Sequence, residues 1–190
     1  AQNPFFEMNN GRISLNIDSQ TVKLESQSNF IFVNGNNEEV RKTTTAKKEA
    51  VVKSNTEIEF KSIAPNVDKS IALYSQAMKY SYFINNPSVL PSNFEYLFVE
   101  DSIELPNGFS IRQDANHISV INQQGEETLV FQQPVISDSK VIDSERGKRP
   151  TPYEAIYRLI QLSETRYKIQ IKVDGAWLQS TDRVYPIHID

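Results

Sequence analysis

The side chains here best suited to chemistry are two histidines, a set of aspartates in turn-like contexts and four aromatic residues. His188 and Asp190 lie two apart, so on a strand they share one face, where a carboxylate can orient an imidazole for proton transfer. No G-x-S-x-G nucleophile context accompanies them, and the plainer reading is a histidine on the outward face of a strand. A two-histidine metal site would need His117 beside His188 together with a carboxylate. Asp68, Asp101, Asp114 and Asp143 fall in stretches that read as turns. Calcium takes loop carboxylates and carbonyls. The D-x-D-x-D-G pattern is absent, however, and turn aspartates ordinarily hydrogen-bond their own backbone. No cofactor is therefore expected, with calcium the one ion such turns could take. Tyr80, Tyr82, Tyr96 and Trp177 could stack on the C–H face of a sugar ring and are the candidate ligand contacts. Each also sits in an apolar pattern, where packing is the commoner role of an aromatic ring. No catalytic, cofactor-binding or metal-ligating residue is assigned, and the chain is expected not to be an enzyme.

The bulk properties narrow the classes further. A chain of 190 residues suits one sizeable domain, and at that size about 70% of the unfolded surface is hidden on folding. Eight Tyr and ten Phe, with many Ile and Val, favour strands. The formal net charge is −4 and the basic residues are dispersed, which argues against nucleic acid as a partner. The absence of cysteine excludes thiol catalysis and Cys-based zinc sites. No apolar run approaches the ~18 residues of a membrane helix, so no membrane insertion is expected. Ala1-Gln2-Asn3-Pro4 reads like the start of a mature exported chain after an Ala-type cleavage site.

These residues are carried on a series of short segments separated by turns. Residues 1–10 read as an extended lead-in, ended by the turn Asn10-Gly11. Arg12 to Ile17 alternates, with Ile13, Leu15 and Ile17 inward, and Thr21 to Leu24 returns beside it. Asn29 to Val33 is apolar on both faces and reads as central. Glu38 to Lys53 has no apolar stripe and reads as a solvated edge or loop; Arg41, Lys42, Lys47 and Lys48 could form a small basic contact, or simply keep an edge from pairing. Thr56 to Ser62 alternates again. The next strand is split at Ser75-Gln76, and Met78, Tyr80, Tyr82 and Ile84 share one face of its second half. Phe94 to Val99 and Ser102 to Leu105 read as two strands, followed by the Pro106-Asn107-Gly108 turn. Phe109 to Gln113, His117 to Ile121 and Glu127 to Gln132 form a meander. Val135 to Ile142 is a weaker strand, and Asp143 to Pro152 is a loop whose Arg146-Gly147-Lys148-Arg149 could be a processing site but fits an exposed tip. Tyr153 to Leu162 and Arg166 to Val173 complete the series. A dozen short strands with little or no helix predict an all-β, antiparallel β-sandwich, one module over residues 1–190.

The C-terminal stretch Ala176 to Asp190 contains the single tryptophan. Read as a strand, Arg183 to Asp190 puts Tyr185, Ile187 and Ile189 on one face, with Trp177 and Leu178 as a plug before it, and Trp177 is expected to be largely buried. Trp177, Leu178, Arg183, Tyr185, Pro186, Ile187, Ile189 and Asp190 together resemble the end of a β-rich module of very large secreted or cell-surface bacterial proteins, where adhesin-like or repeat regions follow. Pro65-Asn66-Val67-Asp68, Lys79-Tyr80-Ser81-Tyr82-Phe83 and Asn86-Pro87 extend the resemblance over roughly residues 60 to 190. His188 departs from it, standing where a small apolar residue is usual. The resemblance implies the N-terminal part of a larger exported chain, ending where another module begins. It implies a secreted or cell-surface location and a non-catalytic structural or adhesion-type role, with adjacent modules as partners. The alternative is a carbohydrate-binding β-sandwich serving a neighbouring domain.

Overall fold

The computed structural model describes residues 6–17, 19–114 and 116–190. The mature-start reading of Ala1-Gln2-Asn3-Pro4 lies outside the described residues. The chain is all-β, two large, mostly antiparallel sheets forming a β-sandwich. In chain order the strands are β1 (Phe6–Asn9), β2 (Arg12–Ile17), β3 (Gln20–Glu25), β4 (Asn29–Val33), β5 (Glu39–Thr44), β6 (Val51–Ser54), β7 (Glu57–Ala64), β8 (Val67–Tyr74) and β9 (Ala77–Ile84). They continue with β10 (Tyr96–Glu104), β11 (Ser110–Asp114), β12 (His117–Ile121), β13 (Glu127–Phe131), β14 (Val135–Ser137), β15 (Tyr153–Glu154), β16 (Ile156–Gln161) and β17 (Arg166–Asp174). A single helical turn, α1 (Gly175–Gln179), precedes the last strand, β18 (Ile187–Ile189).

Each sheet is organised on one strand with a divided edge. In the first sheet β10 pairs with β17 along its whole length on one side. On its other side it meets β4 over Tyr96 to Glu100 and then β3 over Ile103 and Glu104. Ser26, Gln27 and Ser28 carry the chain out of the ladder between those two strands. β1 and β2 extend the sheet beyond β3, β5 lies outside β4, and β16 lies outside β17. In the second sheet β9 pairs with β8 from end to end, backed by β7 and β6. Its other edge takes β18 at Tyr82 to Ile84 and touches β13, in parallel, at Ala77. β12 and β11 continue from β13, and β14 and β15 from β18.

Alternation sets the core. Leu97, Val99 and Ile103 of β10 and Ile169, Ile171 and Val173 of β17 face Ile58, Phe60, Ile71, Tyr80, Tyr82, Ile187 and Ile189 of the other sheet, all buried. Several boundaries differ from the sequence reading. Phe6 to Asn9 is an edge strand paired with β2 rather than a lead-in. The charged stretch 38–53, read as a solvated edge or loop, supplies two edge strands, β5 and β6, with exposed side chains. Phe94 to Leu105 is not two strands: β10 runs unbroken through Glu100 and Asp101. Val135 to Ile142 retains strand only at Val135–Ser137, and Arg183 to Asp190 only at Ile187–Ile189. The latter is an interior strand between β9 and β14.

The helical turn is fixed by close approach. The Asp174 side chain accepts from the Ala176 N–H as its cap, and the Gly175 N–H donates to the Glu95 carbonyl at 2.8 Å. A Cβ on Gly175 would lie 2.5 Å from the Glu95 carbonyl oxygen and 2.6 Å from that of Phe94, both backbone atoms that cannot swing aside. Gly175→Ala is expected to lower stability by about 2 kcal/mol or more. Urea unfolding would read this as a lowered midpoint at unchanged slope.

Candidate functional site

The most unusual chemistry lies between the sheets. Lys69 stands on β8 in the inward series Val67, Lys69, Ile71, and Asp101 on β10 in the series Val99, Asp101, Ile103. Lys69 is 0% exposed and Asp101 4%. The Lys69 Nζ donates to Asp101 Oδ1 at 2.8 Å and to Ser28 Oγ at 2.9 Å. It also meets the Ser26 and Glu25 carbonyls at 3.2 and 3.3 Å, where the kink takes the chain out of the β10 ladder. Ser28 Oγ in turn donates to Asp101 Oδ1 at 2.7 Å and lies 3.4 Å from the Tyr82 hydroxyl. The rings of Tyr80 and Tyr82 flank the ammonium, their centroids 5.2 and 5.7 Å from Nζ. The pair thus joins the second sheet to the central strand of the first, in an apolar setting where an unpartnered charge is very costly.

Glu100, next in sequence to Asp101, points to the opposite face. It accepts from Asn29 Nδ2 at 2.8 Å and from Gln170 Nε2 at 2.6 Å, with Lys168 Nζ 3.3 Å away. Burial pushes its carboxyl up, but the hydrogen bonds from Asn29 and Gln170 and the Lys168 charge outweigh burial and hold it below the ordinary range. All three partners belong to the same sheet, so this group ties β4, β10 and β17 edge to edge.

His188 and Asp190 are neighbours, Nε2 lying 3.7 Å from Asp190 Oδ1, but no hydrogen bond joins them and His188 Nε2 has no hydrogen-bond partner among the described residues. The pair is built into a packed surface: the imidazole stacks on Phe83 at 4.5 Å and 21°, and Asp190 also pairs with Lys79. Burial lowers the His188 pKa; Asp190 opposes the shift and Lys79 adds to it. Beside this pair, the divided edge of β9 leaves Met78 to Ser81 paired only with β8, with no strand on their other side among the described residues. A slot of about 190 Å³ opens there, lined by Lys79, Tyr80, Gln132, Tyr157 and Asp190 among others. The Tyr157 hydroxyl donates to the Gln132 carbonyl at 2.6 Å. The buried Tyr80 hydroxyl has no hydrogen-bond partner among the described residues, and burial, with the Asp101 charge, raises its pKa well above the ordinary phenol value.

A pH dependence follows for His188. A folded-state pKa below the ordinary value of 6.5 means the unfolded chain binds the proton more readily, so stability is full above that value and falls as pH drops through it. Thermal unfolding between pH 7.5 and 5 should register this loss, and His188→Gln should flatten it. An unchanged slope in the variant would remove His188 as the cause.

The four aromatic candidates separate into two settings. Tyr80 and Tyr82 belong to the core, 5% and 0% exposed, stacked with Phe131 and edge-on to Phe30 respectively. Neither offers a face to a ligand at the outer surface. Tyr96 and Trp177 are half-buried, and each has a cation over its ring: Lys172 Nζ 4.0 Å from Tyr96, Arg183 Cζ 3.9 Å from Trp177. Trp177, expected to be largely buried, is partly buried and packs against the margin of the core 6.3 Å from Tyr153, while Leu178 is the residue that fills the core, at 1% exposure. Arg183 continues from Trp177 to Asp138, 3.6 Å away, whose other contacts are the backbone N–H groups of Val184 and Lys140. Trp177 therefore anchors the loop that leads into β18.

The aspartates read as turn residues divide likewise. Asp143 does cap its own turn, accepting from Glu145 and Arg146 N–H groups. Asp114 ends β11, pairing with Arg112 at 2.9 Å and His117 at 3.6 Å; β13 and β9 lie between that histidine and His188. Asp68 lies within β8, holding the Ser62 N–H at 2.8 Å and the Asn85 side chain at 3.0 Å. Asp101 is in no turn at all. Among the described residues no group of three or more His, Asp or Glu could hold a metal ion, and no helix is long and apolar enough to cross a membrane. Of the basic stretch, Arg41 lies over Phe32 and donates to the Val89 carbonyl, while Lys42, Lys47 and Lys48 are exposed.

Lys69, Ser28 and Asp101 were not singled out as a group by sequence reasoning. A signal was available: each charge interrupts a period-two apolar series at an inward position. Comparison with family models, with curated proteins and with solved structures finds no match.

Proposed function

We propose that this chain is a non-catalytic structural or interaction module, of the adhesion type displayed by large exported bacterial proteins, and that it works by holding a rigid surface for neighbouring modules. The observation that carries this reading is the use made of its charged interior. Lys69 with Asp101 ties sheet to sheet, and Glu100 with Asn29, Gln170 and Lys168 ties strand to strand. Groups that could have served a reaction are engaged with one another. The half-buried ring of Trp177 is likewise engaged, by Arg183. The resemblance in the sequence supports the same reading, since its two stretches meet as neighbouring strands: Ile187 lies opposite Ile84, and Ile84 opposite Val67.

A second reading, a carbohydrate-binding module, rests on Trp177 and Tyr96, whose rings reach the surface. Titrating a panel of soluble polysaccharides while following Trp177 fluorescence separates the two. The structural reading expects no saturable shift with any glycan. It also expects one cooperative, high-force unfolding step when the chain is pulled between its ends. A saturable shift abolished by Tyr96→Ala would replace it with the carbohydrate reading, and turnover in a panel of chromogenic esters and glycosides would overturn both.

A further inference from the structure

We propose that Lys69 and Asp101 condense to an amide, forming a covalent cross-link between the two sheets. The inference rests on the pair's geometry and stands apart from the functional reading above. An amine and a carboxyl group are held 2.8 Å apart, both buried, one on β8 and the other on the central strand of the opposing sheet. The fold has already removed the translational and rotational freedom that makes such a condensation slow between separate molecules, a contribution that reaches an effective molarity of order 10⁵ M or more in well-oriented cases. Burial favours the product. An ion pair between the sheets carries a desolvation cost that a neutral amide does not. Water excluded from the core is also unavailable for the reverse reaction.

The step balances without any further reagent. A proton passes from the Lys69 ammonium to the Asp101 carboxylate along their hydrogen bond. The freed lone pair on Nζ attacks Cγ, and a C–N bond forms. Charge develops on Oδ1, where the Ser28 hydroxyl already donates at 2.7 Å. The C–O bond to Oδ2 then breaks, and that oxygen departs as water with two protons that began on the ammonium. The remaining N–H belongs to the amide. The Glu25 and Ser26 carbonyls, 3.3 and 3.2 Å from Nζ, orient the nitrogen throughout. Glu100, the nearest carboxylate in sequence, faces the other side of the sheet and takes no part, so among the described residues no carboxylic acid beyond Asp101 itself contacts the pair. The bond is therefore expected to form slowly after folding.

Intact-mass spectrometry of the full chain, incubated at neutral pH until the spectrum stops changing, tests this directly. The expected product is one water lighter than the sequence mass. Trypsin no longer cuts after an acylated Lys69, and the digest contains one branched peptide joining Lys69 to Asp101. Lys69→Arg should keep the full mass. Asp101→Asn should lose one ammonia instead, because the side-chain nitrogen becomes the leaving group. A final spectrum at the full sequence mass overturns the proposal. So does a water loss that persists in Lys69→Arg, which would belong to an aspartyl succinimide elsewhere. The unaltered chain decides the question by itself, so a variant that fails to fold does not blunt the test.

Discussion

Measured against the freshly folded chain, before any condensation of the pair, Lys69→Met is expected to lower the unfolding free energy by about 3–5 kcal/mol. The reason is not the strength of one ion pair. Removing the ammonium leaves Asp101 in the core with, among the described residues, only the Ser28 hydroxyl as a donor, and it leaves the Ser26 and Glu25 carbonyls without the hydrogen bonds that Nζ supplies at the kink. The cost therefore falls on groups that stay behind. Asp101→Leu in the same chain should recover most of the loss, because the stranded charge goes with it and an apolar pair can fill the space. Urea unfolding of the two single variants and the double variant measures the coupling as a cycle. A Lys69→Met loss under about 1 kcal/mol would mean that water reaches Asp101 and that the pair is not a core element.

Tyr82→Ala should cost about 3–5 kcal/mol, and Trp177→Ala only about 1–2 kcal/mol. Residue size predicts the reverse order. Tyr82 is fully buried on β9, edge-on to Phe30 and with its hydroxyl beside Ser28, so truncation opens a cavity between the two sheets. Trp177 lies at the margin, and what it holds is the Arg183 side chain and through it the Asp138 loop. Its loss should loosen the approach to β18 while the sandwich persists. Denaturant midpoints rank the two, and a Trp177→Ala cost exceeding that of Tyr82→Ala would make the tryptophan the plug that the sequence alone predicts.

Legibility in the sequence followed exposure. Strands with one wet and one dry face, such as β2, β7 and β17, alternate cleanly and were readable nearly to their ends. Strands at the rim were not. β5 and β6 owe their conformation to pairing with β4 and β7, since almost every side chain on them is exposed, and no pattern marks them. The opposite failure occurred at the centre. Glu100 and Asp101 read as a polar break because consecutive charges ordinarily mark a turn. In β10 they alternate like their neighbours, one into each face, and each meets partners from strands far away in sequence: Asn29 and Gln170 for the first, Lys69 for the second.

Local sequence suffices for the class: an all-β sandwich follows from aromatic and β-branched residues in short alternating runs between turn residues, a property that each segment expresses alone. It also determined which face of most strands is dry. The tertiary structure decided which polar groups matter. Whether a charge is a solvated ornament or a buried tie depends on what lies opposite it, and Lys69 and Asp101 are brought together only when β8 and β10 are laid face to face across the core. The same holds for Trp177, whose place at the margin was decided by the one-turn helix docking against the Phe94 and Glu95 carbonyls through Gly175. Alternation is written along the chain, whereas opposition across a sandwich arises from register and packing between segments that share no local signal.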